Sequence, residues 1–187
     1  MTPALRTARL DLLPLAPGHA TEMAAVLADP ALHRYTGGTP AAPADLAARY
    51  ERLAAGSPDP GVTWHNWVLL LRAEARLTGY AQATVTAAAA GRGRSLAEVA
   101  WVVGTPWQGQ GIAKEAAQAV VHWLGTAETA IAEVIAHIHP DHHASAAIAA
   151  AAGLAPTDEW QEGEIRWRRK FPAPDGSGCR SGGSPFV

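Results

Sequence analysis

The sequence holds a single cysteine, Cys179, in 187 residues. That excludes an intramolecular disulfide, and without a C-x-x-C pair the common zinc and thiol-redox frameworks are excluded too. Cys179 lies in a Gly/Ser-rich stretch where nothing rigid holds it against a base, so no catalytic thiol is expected there. Long apolar runs are also missing. None approaches the ~18 residues of a membrane span, and the N-terminus lacks the apolar segment of a secretory signal. Charge of one sign is scarce: the formal net charge is −2 and the pI about 6.4. A nucleic-acid polyanion has little to bind. These absences predict a cytoplasmic protein that engages neither membrane nor nucleic acid.

What is present is an ordinary globular composition, 48% apolar and 17% charged, with enough alanine to imply closely packed helices. The length suits one domain, residues 1–171, and a chain this size buries roughly 70% of its unfolded surface. Residues 172–187, rich in Gly, Ser and Pro, are expected to be a disordered tail. Arg166, Arg168, Arg169 and Lys170 read as the solvent face of a late strand, with a phosphate or acidic-substrate patch as the alternative.

The hydropathy pattern predicts the order β-α-α-β-β-β-α-β-α-β-β. Residues 9–15 form a first strand closed by Pro14 and Pro17, and residues 18–28 a helix stopped before Pro30. A helix follows over about 43–55, then strands over 64–72 and 77–86 and a central strand over 96–103 that is apolar except at Glu98. Ile112, Ala116, Val120 and Leu124 recur every four residues in the clearest helix, about 109–125. A strand over 131–139, a short Ala-rich helix over 142–152 and two late strands complete the pattern. Hairpins early and helical crossovers later imply an α+β fold. Its central sheet is mixed, mostly antiparallel, with a parallel pair at the Gly-rich loop.

That loop, Gln108-Gly109-Gln110-Gly111-Ile112-Ala113-Lys114, joins a buried strand to a helix. Glycine lets the backbone approach a phosphate without a Cβ in the way, and the free N–H groups of the helix start bind the anion. Gly104 and Gly109 have Walker A spacing, but Gln110 and Gly111 stand where its Lys and Ser/Thr are needed. Lys114 occupies the third small position of a dinucleotide fingerprint, and the preceding hairpins also disfavour that fold. The pattern [QR]-x-x-G-x-[GA] fits Gln108, Gly111 and Ala113.

Here the sequence resembles the GNAT N-acetyltransferase superfamily, whose pyrophosphate-binding motif has this form. His139-Pro140-Asp141-His142-His143-Ala144-Ser145, before an Ala-rich helix and Gly153-Leu154, resembles the RimJ/RimL branch, as do Arg9-Leu10, Glu98 with Trp101, and Glu115. The resemblance covers roughly residues 5–171. It implies a sheet splayed at the cofactor strand and acetyl-CoA (CoA) as cofactor. Gln108 to Lys114 would hold the pyrophosphate, with Val102 and Val103 along the pantetheine arm. A homodimer is left open.

Two departures stand out: His142 replaces the branch's Asn, and Leu154 its Phe. The tyrosine that many members use as general acid is replaced by Ala149 to Ala152, which leaves Ser145 to bond and protonate the leaving thiolate, or else to cap its helix. His142 is either a site residue or a solvent-facing helix start.

Amine acetylation also needs a base. Glu98, the one charged side chain of a central strand where burial would raise its pKa, is the first choice over His65, His139 and Glu162. His137, His139, His142 and His143 lie close in sequence and line an acceptor cleft more readily than a metal site; no metal is expected. Trp107, beside the loop, is the tryptophan placed to touch ligand. The implied function is acetyl transfer to a primary amine, a protein N-terminus or a small molecule. A CoA-binding module of the same fold with little turnover is the alternative.

Overall fold

The computed structural model describes residues 1–35, 37–88, 93–126 and 131–172. Cys179, the expected tail beyond Pro172 and part of the turn at Gly91-Arg92 lie outside the described residues. The elements are β1 (Leu5–Arg6), β2 (Leu10–Pro14), α1 (Ala20–Val26), α2 (Pro43–Ala55), β3 (Val62–Leu71), β4 (Arg76–Thr86), β5 (Ser95–Val103), α3 (Ile112–Thr126), β6 (Ile131–Ile138), α4 (His143–Ala151), β7 (Ala155–Gln161) and β8 (Glu164–Lys170). Only the two-residue β1 is an addition to the predicted order.

The eight strands form one sheet in the order β1-β2-β3-β4-β5-β6-β8-β7. All pairs are antiparallel except β5 with β6. The last hairpin is inserted in reverse, so that β8 pairs with β6 and β7 becomes the edge.

Alternation along the strands divides the core. Trp67, Leu69, Ala81 and Val99 face α3 and α4, with Ile112, Val121 and Leu124 of α3 packed against them. Val68 and Leu77 face the opposite way, onto Met23 and Val26 of α1 and Leu46 and Tyr50 of α2. Each fully buried aliphatic side chain of this kind contributes about 1.5–3 kcal/mol. Two cations of the β8 cluster are ion-paired, Arg166 and Arg168 with Glu133 and Glu159, while Arg169 donates to the Ala152 carbonyl on the other face. The cluster is thus divided between two faces, with two of its four charges compensated.

His65 is buried, stacked near Trp67 and edge-on to Trp123 with ring centroids 4.8 Å apart. Burial, and secondly the N-terminal ammonium, lower its pKa from 6.5. The unfolded chain therefore takes up a proton there first as pH falls. Stability from a neutral His65 is complete above pH ~6.5 and is lost as pH drops through that value toward the folded pKa. His19 and His142 shift the same way. Denaturant midpoints should fall below that pH, and His65→Gln should shallow the slope by at most about 1.4 kcal/mol per pH unit. An unaltered slope in the variant would count against this account.

Candidate functional site

Parallel pairing of β5 with β6 ends at Glu98 opposite Ile135. Beyond it the strands diverge, and the β6-facing edge of residues 99–103 has no strand partner among the described residues. A cleft of about 1640 Å3, counted out to open solvent, fills the gap. Val102, Val103, the Gly-rich loop, His137, His142 and Ser145 all line it. The tertiary fold thus brings together two segments that the sequence separates by some thirty residues.

The loop follows a short 3-10 turn, Thr105–Trp107, and enters α3 at Ile112. Gly109 and Gly111 have φ of +73° and +78°, a left-handed conformation that side chains disfavour. Left-handed glycines next to a helix start suit the backbone concavity in which free N–H groups bind an anion. Ile112 buries its side chain in the core, so only its backbone is offered to the cleft. Lys114 is exposed and lines the cleft, as do Gln108 and Ala113.

The two glutamines serve the loop itself. Gln108 Nε2 donates to the Val103 carbonyl at 3.0 Å, and Gln110 Nε2 to the Pro106 carbonyl at 3.1 Å. Gln110 does not line the cleft, which corrects its expected place there.

Beneath the loop lies a clamp. Glu115 accepts from the Thr7 hydroxyl (2.6 Å), the Arg9 amide (2.7 Å) and Arg9 Nε (2.7 Å), and Arg9 Nη1 donates to the Gln110 carbonyl (2.9 Å). Burial pushes the Glu115 pKa up, but the bonds from Thr7 and Arg9 outweigh it and hold the carboxyl below its ordinary value. Thr105 to Asp29 (2.6 Å) and Trp107 Nε1 to Glu74 (2.9 Å) pin the start of the turn, and Trp107 lines the cleft as expected.

On the opposite wall, α4 begins at His143 with His142 as its N-cap. Ser145 therefore lies within the first turn and is not the cap. Its hydroxyl makes no hydrogen bond among the described residues and faces the cleft half-buried. His142 is stacked at 4.3 Å by Tyr35, a residue of the α1–α2 connection that sequence reasoning missed. Burial, then His139, lower the His142 pKa, which keeps the ring neutral near pH 7.

Glu98 is not buried: about half its side chain is exposed, which corrects the burial expected of it. It binds His137 Nδ1 at 2.8 Å, and the imidazole is nearly buried and lines the cleft where Glu98 does not. Of the other base candidates, His139 lines the cleft beside Tyr35 and Asp141, His65 is in the core, and Glu162 sits in the β7–β8 turn. Among the described residues no group of three or more His, Cys, Asp or Glu is placed to hold a metal ion. No helix among them is long and apolar enough to cross a membrane.

Residues 9–155 match the acetyltransferase (GNAT) domain family. The chain belongs to the GNAT acetyltransferase family. It is accordingly an acetyltransferase, and acetyl-CoA is the usual donor in this family. The same fold occurs in a GNAT acetyltransferase from Bacillus anthracis, at 16% identity and TM-score 0.70 over 90% of this chain and 98% of that one. RimL, a ribosomal-protein α-N-acetyltransferase solved with coenzyme A, is similar at 14% identity and TM-score 0.69, again over 90% and 98%. The microcin self-immunity acetyltransferase MccE, solved with acetyl-CoA and AMP, shows 15% identity and TM-score 0.66 over 88% and 94%. No curated protein matches the sequence.

Proposed function

We propose that this GNAT enzyme acetylates a primary amine, on a small molecule or a peptide N-terminus, in a ternary complex within the cleft. The observation that supports this most is the end of β5–β6 pairing at Glu98, which leaves the rest of β5 unpaired as it runs toward the loop with the left-handed glycines. The fit to a CoA-type donor rests on these features. A Cβ on Gly109 would meet nothing within 4 Å, so the loop surface is open to an anion. The amides of residues 109 and 111–114 would take a pyrophosphate, and the unpaired edge at Val102 and Val103 would take an amide-bearing arm.

Bound acetyl-CoA supplies an acetyl group activated as a thioester. Overall, the amine nitrogen gains the acetyl group, the C–S bond breaks, and the amine proton ends on the CoA thiol. The residues manage protons and charge. A carboxylate can only accept, so the neutral form of His137 has its proton on Nδ1 toward Glu98 and its lone pair on Nε2. We assign His137 as the base toward the acceptor amine and Glu98 as its positioning residue. Ser145, with its hydroxyl uncommitted, donates to the leaving sulfur, and neutral His142 forms the wall beside it. Strand N–H groups at Val102 and Val103 would stabilise the carbonyl oxygen, a contribution of ~10²–10³ in rate for one such donor.

Calorimetric titration with acetyl-CoA, followed by thiol release on N-terminal peptides and small amines, tests the reading. Binding with release and mass-confirmed acetylation is the expected result. Binding with no release on any acceptor would instead make the chain a CoA-binding module. Turnover restricted to lysine side chains would refute the acceptor class.

A further inference from the structure

A second, smaller cavity, about 650 Å3 counted out to open solvent, lies on the other side of β5, between α1, α2 and the sheet. Leu32 and Val102 line both this cavity and the cleft, so the two open onto a common wall. Most of its surface is apolar, from Leu15, Leu27, Leu46 and Leu53. Against that background two polar groups of α2 stand out.

Tyr50 is only 3% exposed, yet its hydroxyl is buried without a hydrogen-bond partner while its ring lines the cavity. A buried donor left unpaired is unfavourable, and such groups in native proteins mark missing partners. Burial, then neighbouring Tyr80, push the phenol pKa up to about 12, so it remains a donor at every working pH. Arg49, the one fully charged side chain in the lining among the described residues, acts electrostatically on both Tyr50 and Tyr80 and makes no ion pair there. Gln82, also in the lining, has its amide nitrogen committed to Asn66 at 2.7 Å. No carboxylate faces the cavity among the described residues.

A hydroxyl donor without an acceptor in an apolar wall, near an exposed guanidinium that makes no ion pair, suits an anionic group. We propose that this cavity receives the acceptor and selects primary amines whose apolar spacer ends in a carboxylate, held by the Tyr50 hydroxyl and the Arg49 guanidinium. This rests on the acetyltransferase reading above. Two sources share that chemistry: a free amino acid, and a peptide with an acidic residue just after its N-terminus.

The test uses matched acceptors with the full chain and saturating acetyl-CoA: aminocaproate against its amide, and short peptides with glutamate or glutamine in second place. Wild-type kcat/KM should favour the carboxylate of at least one pair by ~10-fold or more. The preferred pair then identifies the source. Tyr50→Phe removes one oxygen, and Arg49→Gln removes the charge. Each should raise KM for the carboxylate acceptor ~10-fold while leaving kcat, amide-acceptor KM and acetyl-CoA Kd unchanged. Equal kcat/KM on acid and amide in both pairs, or variants with unaltered KM, would overturn this inference and leave the acetyltransferase reading standing. Turnover on no amine at all would overturn both.

Discussion

A Gly111→Val variant is expected to lose at least ~100-fold in acetyl-CoA affinity. Two effects act together. At φ of +78° a β-branched side chain is strained, by about 1–3 kcal/mol. Its Cβ would lie 3.4 Å from Arg9 Nη2, so the Cγ atoms beyond it would crowd the clamp that holds the loop. Relief of the strain requires the peptide to turn, which withdraws the N–H groups that face the anion. Glu115→Gln probes the same loop without adding an atom: it removes the charge paired with Arg9 at 2.7 Å and should weaken binding by a smaller factor, about 5–20-fold. Calorimetry on variants whose circular dichroism matches wild type decides the matter. Full acetyl-CoA affinity in folded Gly111→Val would remove the loop from the donor site.

The second large effect concerns the dyad on the sheet. His137→Ala should lower kcat by ~10²–10⁴, the range of a general base, with acetyl-CoA Kd unchanged. Added imidazole should recover part of the loss, because the truncation leaves room for it beside Glu98. Glu98→Ala should cost ~10-fold in kcat. Glu98→Gln should fall between, since an amide oxygen still accepts from His137 Nδ1 without the charge. A purely structural Glu98 would move stability and kcat together, without this graded recovery. Near-normal turnover in His137→Ala beside a dead Glu98→Ala would return the proton-accepting role to Glu98.

These residues also show where sequence reasoning stopped. Glu98 stood out as the lone charge in an apolar strand, and the strand is indeed central. Its exposure and its partner depended on register. Glu98 is opposite Ile135, and only this offset in a parallel pair brings His137, thirty-nine positions away, into contact. Tyr35 was passed over because nothing local joins a tyrosine in the α1–α2 connection to His142 across the cleft. Ser145 read equally as a cap or a site hydroxyl until the helix start was located at His143. Arg9 and Glu115 were noticed only through resemblance; their joint support of the loop spans 106 positions.

Local chemistry alone determined the loop and its flanks. A strand of apolar residues, a glycine pair that accepts left-handed backbone, and a helix with a four-residue apolar repeat are properties of neighbours in the chain. The order of elements followed from the same short-range signals. Which strand edges stay unpaired, which carboxylate meets which imidazole, and which buried hydroxyl is left without an acceptor were decided by tertiary structure. Those outcomes depend on pairing register and long-range packing, and a one-residue slip in either would reassign every contact on a face.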